Sequence, residues 1–247
     1  MTAREIYGYL NTLAPFDTAE EWDNVGLLVG SPEDPVDSIL VTLDATEGAL
    51  DAADGVGAQL IITHHPVIFS PLKRLDKGSI PYRLAQAGRS VICAHTNLDK
   101  AAGGVNDTLA ELLGLTDVRP TSDGLCRIGT LPAAVNADAL AQTVAAALGC
   151  TVRVNSGDGI RTVAVCGGSG GDFIDGPAGA ADAFVTGEVR HHEWLAANET
   201  GLTVIEAGHY ATEAPVITTL CSRLAEQFPT LKITPYYDAE PYNYRKA

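Results

Sequence analysis

No CxxC pair occurs anywhere in the chain. Its five cysteines (Cys93, Cys126, Cys150, Cys166 and Cys221) are odd in number and scattered. That argues against a disulfide framework and a thiolate zinc site, and makes a reducing, cytoplasmic compartment the expected one. Basic residues are scarce too: 16 Lys and Arg against 31 Asp and Glu leave a formal charge of −15. A surface that acidic repels phosphate backbones, so nucleic acid is not an expected partner. No apolar run approaches the ~18–20 residues a membrane helix needs. The opening MTAREIYGYL has no basic stretch followed by an apolar core, so neither a membrane partner nor a secretory leader is expected. Charged residues make up 19% of the chain and hydrophobic ones 46%, too apolar a balance for disorder. Three catalytic signatures are missing as well: the GxxxxGK[ST] phosphate loop, the DxH…GNHE phosphoesterase spacing and the HxH amidohydrolase pair.

What is present is 247 residues in which apolar runs alternate with helical patterns, enough for one large domain or two ordinary ones. Continuous apolar runs at 38–43 (SILVTL), 59–63 (QLIIT) and 90–94 (SVICA) predict strands covered on both faces. Helices are predicted from a capping box at Thr2 and Glu5 to about Leu13, from Thr46 to Ala53, and over 106–113 with Gly114 as the stop. The second half repeats the pattern, with strands at 125–131, 151–154, 162–166, 183–186 and 203–205 and helices at 138–148, 190–197 and 212–227. Such alternation predicts α/β layering. The turn Thr121-Ser122-Asp123-Gly124 is the best boundary, dividing residues 1–123 from 124–247, and the GGSGG at 167–171 reads as a tight loop after a strand.

The six histidines fall in four places: His64-His65, His95, His191-His192 and His209. Three of these places follow a predicted strand, where ligand sites of open α/β sheets lie. Adjacent strand residues point to opposite faces, so His64 and His65 can share a site only where the strand ends, and Pro66 supports such a break. Asp99 sits four residues after His95 on a post-strand loop. His209 and Glu213 lie one turn apart if a helix begins near Tyr210. Each has a plain structural explanation: hydrogen bonding at a strand end, turn capping for Asp99, the helix dipole for Glu213. Together His64, His65, Asp99, His209 and Glu213 give three imidazoles and two carboxylates, a set that suits two ions with Glu213 able to bridge them. Nitrogen and oxygen donors without thiolate favour Zn, Fe, Mn or Co.

The motifs WDNVGLLVG (22–30), THHPVIF (63–69), HTNLDKAAGGVND (95–107), TGEVRHHE (186–193) and GHYATE (208–213), in that order, resemble the Nif-three-like, dinuclear-metal-centre hexamer family, the GTP cyclohydrolase I type 2 homologs. The match covers essentially the whole chain and corresponds to the shorter family form. The resemblance implies two similar α/β domains with mixed sheets flanked by helices. It further implies a toroidal homohexamer and two divalent ions per subunit held by the same five residues. His64, His65 and Asp99 would come from residues 1–123, and His209 and Glu213 from 124–247. It implies GTP as substrate, opened to dihydroneopterin triphosphate with release of formate. Two ions would activate water as the nucleophile, while His95 and His192 move protons. Trp22, Asp23 and Asn24 would line the pocket, and Lys73, Arg74, Lys100 and Arg190 are the cations near the motifs. Leu28 stands where relatives commonly carry Gln. Two other readings stay open: a metal-dependent hydrolase of another small metabolite, and a non-catalytic hexameric metal-binding interaction protein.

Overall fold

A computed structural model describes residues 1–240 and 242. It divides into two compact units, one formed by Met1–Leu98 with the chain from Ile217 onward, the other by Asp99–Val216. The expected division at 123/124 therefore falls inside the second unit, in the turn joining two antiparallel strands. The C-terminal segment returns to the first unit because its strand pairs there, and no local sequence signal announces such a non-local pairing.

The first unit contains α1 (Ala3–Leu13), β1 (Gly26–Val29), β2 (Ser38–Thr42), α2 (Glu47–Val56), β3 (Leu60–Thr63), α3 (Ile80–Gln86) and β4 (Ser90–Cys93). Its sheet runs β1-β4-β3-β2 and ends in a C-terminal strand at Lys232–Pro235. The β4, β3 and β2 strands are mutually parallel, with β1 antiparallel at one edge. Every residue of β2, β3 and β4 is buried, as continuous apolar runs require of parallel strands covered on both faces. Each fully buried Leu or Ile there contributes roughly 1.5–3 kcal/mol. Thr46 caps α2 by accepting the Ala49 N–H at 3.0 Å, and Glu5 accepts the Thr2 N–H at 2.7 Å at the start of α1, both as the sequence predicts.

The boundary between the units falls within α4 (Thr96–Lys100). The second unit continues through α5 (Val105–Leu112), β5 (Thr116–Pro120), β6 (Arg127–Val135), α6 (Ala137–Leu148), β7 (Arg153–Val154), β8 (Ile160–Cys166), β9 (Ala183–Thr186), α7 (His191–Thr200), β10 (Thr203–Glu206) and α8 (His209–Glu213). Its sheet has the order β5-β6-β8-β9-β10-β7, with β8, β9 and β10 parallel. Asn136 caps α6 and Gly149, at φ +65°, closes it. The helix expected over 212–227 is two helices: α8 stops at Glu213 and α9 (Pro215–Gln227) follows. Pro215 has no N–H to continue the ladder and is suited to opening a new helix. The chain then ends its described course in β11 (Lys232–Pro235), parallel to β2. The α/β class is thus established, with two mixed sheets flanked by helices. No helix among the described residues is long and apolar enough to cross a membrane.

Candidate metal centre

In the first unit the register of the parallel strands brings the candidate residues together. Thr42 aligns with Thr63, and Thr63 with Cys93, so the segments after β2, β3 and β4 emerge side by side at the carboxyl edge of the sheet. Asp44, His64-His65 and His95 leave from those three ends. The ring centroids are 4.9 Å apart for His64 and His65, 5.1 Å for His64 and His95, and 5.5 Å for His65 and His95. One nitrogen from each ring lies within 4.8 Å of the others, a grouping able to hold a metal ion.

Each ring is fixed through Nδ1. His64 Nδ1 lies 2.9 Å from the Ala94 carbonyl oxygen, which can only accept, so Nδ1 carries the proton. His65 Nδ1 meets Asp44 Oδ1 at 2.9 Å, and His95 Nδ1 meets Asp23 Oδ1 at 2.9 Å. Against a carboxylate the same assignment follows, and Nε2 is left as the lone-pair atom of all three rings. Anchoring of imidazole N–H groups by carbonyl and carboxylate oxygens is how metal-binding histidines are oriented. Asp23 is in turn clamped by Thr96, whose N–H donates at 3.0 Å and whose hydroxyl donates at 2.6 Å. Burial by itself raises the Asp23 carboxyl, but the bonds from His95 and Thr96 and the nearby imidazole outweigh it and bring the value down to about 2.

The second unit repeats the principle. Cys166 aligns with Thr186 and Thr186 with Glu206, so the loops after β8, β9 and β10 share one edge. His209 opens α8 and Glu213 closes it, and their Nε2 and carboxylate oxygen are 3.1 Å apart. His209 Nδ1 faces Glu188 Oε1 at 3.3 Å. The GGSGG loop is their floor. A Cβ on Gly168, at φ +66°, would lie 2.1 Å from Glu213 Oε1 and 3.2 Å from His209 Nε2, and one on Gly187 would lie 2.8 Å from the His209 Cα. Gly168 N–H donates to the Thr212 hydroxyl at 3.0 Å. Asp99 is tied to this loop through buried Asn106, which donates to the Asp99 carbonyl at 3.4 Å and accepts the Gly167 N–H at 2.7 Å. Buried Cys166 senses both carboxylates: hydrogen bonding to Cys126 and burial raise its thiol far above the ordinary range, and the charges of Asp99 and Glu213 add to the effect.

This donor set fits divalent metal. An imidazole nitrogen and a carboxylate oxygen facing each other at 3.1 Å call for a proton or a cation, and Nδ1-anchored rings are pre-oriented to coordinate. His192 belongs to neither group: its side chain is 73% exposed and lies 4.0 Å from Glu193. Among the expected cations, Arg190 pairs with Asp172 and Glu193, and Arg74 pairs with Asp76 at 3.0 Å. Asp44 is not singled out by the sequence, and Gly168, Gly187 and Glu188 appear there only inside the GGSGG and TGEVRHHE runs, with no role of their own. Asp44 is 21 residues from His65 and only the strand register joins them, whereas the glycine run was visible but had no known neighbour.

Both units thus define the class: an α/β protein whose parallel strands deliver imidazoles and carboxylates, with a composition suited to divalent metal, to the carboxyl edges of their sheets. The model of the Duf34/NIF3 (NGG1p interacting factor 3) family matches residues 1–240, and the chain belongs to that family, as its motifs imply. A GTP cyclohydrolase 1 type 2 homolog of Lactococcus lactis is 37% identical over 213 residues, covering 81% of this chain and 82% of that protein. A GTP cyclohydrolase 1 type 2 of Helicobacter pylori is 36% identical over 221 residues, covering 85% and 86%. The crystal structure of a hypothetical protein from Staphylococcus aureus superposes with a TM-score of 0.91 at 27% identity, covering 99% of each chain.

Proposed function

We propose that this chain is a dinuclear metal-dependent hydrolase of the GTP cyclohydrolase 1 type 2 kind, opening GTP to dihydroneopterin triphosphate and formate in the cytoplasm as a toroidal homohexamer. The observation that carries the metal reading is the Nδ1-anchored set of His64, His65 and His95. The relatives' names supply the reaction. In this reading His64, His65, Asp99, His209 and Glu213 hold two ions (Zn, Fe, Mn or Co), which when bound supply Lewis acidity and an activated water.

The chain's own residues do the rest. Asp44 and the Ala94 carbonyl keep His65 and His64 in the tautomer that presents Nε2. Asp23 does the same for His95, whose Nε2 accepts a proton and returns it to a ring nitrogen of the substrate, stabilised as imidazolium by the ionised Asp23 beside it. His192, whose side chain is exposed, serves as a second proton carrier. Lys73 and Lys100 meet the triphosphate, with Arg74 and Arg190 exchanging their carboxylate partners for it.

The test offers GTP to protein whose metal content has been quantified and follows formate release for wild type and Glu213→Ala. Turnover that scales with metal content and falls at least a hundredfold in the variant is expected. Fully metal-loaded wild type that releases no formate would overturn the cyclohydrolase reading.

A further inference from the structure

Trp22 is the large side chain that the fold leaves most conspicuously uncovered beside the histidine cluster. It is 59% exposed and Phe69 is 53% exposed, yet neither rests on a loose backbone. Trp22 is followed by Asp23, whose two carboxylate oxygens are both bound, to His95 and to Thr96. The Asp23 N–H also donates to the Glu20 carbonyl at 2.9 Å. Next comes Asn24, whose amide donates to the Ile68 carbonyl at 2.5 Å and so ties the segment carrying Phe69 to the one carrying Trp22. The two rings lie 5.9 Å apart at 42°, an open wedge rather than a closed stack. The indole is 6.1 Å from the His95 imidazole and nearly perpendicular to it.

We propose that Trp22 and Phe69 form a stacking platform for the planar heteroaromatic ring of the substrate, holding it against the edge of the His64/His65/His95 group, with Asn24 as a positioning residue. Aromatic faces bind planar rings with little dependence on ring identity. A rigid backbone presenting an exposed indole loses little freedom when a ring docks, which favours affinity. Packing within the chain does not account for this Trp, since more than half of its surface is left uncovered by it. The proposal extends the cyclohydrolase reading, in which the ring is a purine, but depends on it only for the choice of probe.

Metal-loaded protein is titrated by calorimetry with guanosine, adenosine, a pterin and GTP, and with ribose 5-phosphate as a ring-free control, alongside tryptophan fluorescence. Trp22→Ala and Phe69→Ala are each expected to weaken at least one ring-bearing probe by roughly tenfold to a hundredfold while leaving ribose 5-phosphate unchanged. Trp22→Phe should retain most of the affinity but lose the ligand-induced quench. Unchanged affinity in Trp22→Ala, an equal loss in Trp22→Phe, or no binding of any ring-bearing probe would overturn the platform. So would a changed oligomeric state in Trp22→Ala with binding intact, which would make this face a subunit contact. GTP turnover with an unaltered KM in Trp22→Ala sinks the platform and spares the cyclohydrolase reading. Ring binding that depends on Trp22 without formate release does the reverse.

Discussion

Asp23 shows how a single side chain links folding to the candidate chemistry. It fixes the proton on His95 Nδ1 and anchors the start of α4 through Thr96. Because its folded value, about 2, lies below that of an ordinary carboxyl, folding favours the ionised form. Its stabilisation is therefore complete above about pH 4 and is lost as the pH falls toward 2. Asp23→Asn, which weakens the charge-assisted bonds to His95 and Thr96, is accordingly expected to lower the stability of metal-free protein at pH 7 by about 1.5–3 kcal/mol. Urea unfolding measured at descending pH should show the gap to wild type closing between pH 4 and 2. A gap that stays constant across that range would mean Asp23 acts through shape rather than charge.

At the level of elements, the glycine loop after β8 carries a prediction that separates backbone strain from damage to the metal half-site. Gly168 and Gly149 both have φ near +65°, so an Ala at either incurs the left-handed penalty of about 1 kcal/mol. Only at Gly168 does the added Cβ collide, with the Glu213 carboxylate; at Gly149 it meets nothing within 4 Å. Gly168→Ala should lose more stability than Gly149→Ala in thermal unfolding, and elemental analysis should find metal depleted in the first and normal in the second. Equal metal content in both would remove the loop from the half-site. This same loop marks where the sequence stopped being legible. The runs at 38–43, 59–63 and 90–94 became β2, β3 and β4 because unbroken apolar stretches have few alternatives to a doubly covered strand. The short, half-buried β1 and the edge strands β5 and β11 carry no such pattern. Their pairing is not decided locally: β5 pairs with β6 and so carries the segment before 123/124 into the second unit, while β11 returns to β2 in the first. Of the site, the histidines and the His209–Glu213 spacing could be read because strand ends and helical turns are local. Asp23 lies 72 residues from His95, and its orienting role appears only when the sheet brings them together.

For the molecule as a whole, the −15 charge and the proposed metals act on each other. A strongly acidic chain is destabilised by its own repulsion, and the half-sites add Asp99, Glu213 and Glu188 to that burden at fixed positions. Bound cations would relieve it and stabilise the fold by mass action, by about 4 kcal/mol when free metal stands a thousandfold above its dissociation constant. For a chain of this size that amounts to a rise in Tm on the order of 10 °C. Dialysis against a chelator, with metal loss verified by elemental analysis, is therefore expected to lower Tm by about that amount. Sodium chloride should then recover part of the loss in the metal-free protein, because a Debye length near 3 Å at 1 M screens the carboxylates from one another, while the metal-loaded protein should respond much less. If the metal-free and metal-loaded proteins melt together, the ions are not seated in the folded structure. If salt raises both equally, the repulsion that metal relieves is spread over the surface rather than concentrated at Asp99, Glu188 and Glu213.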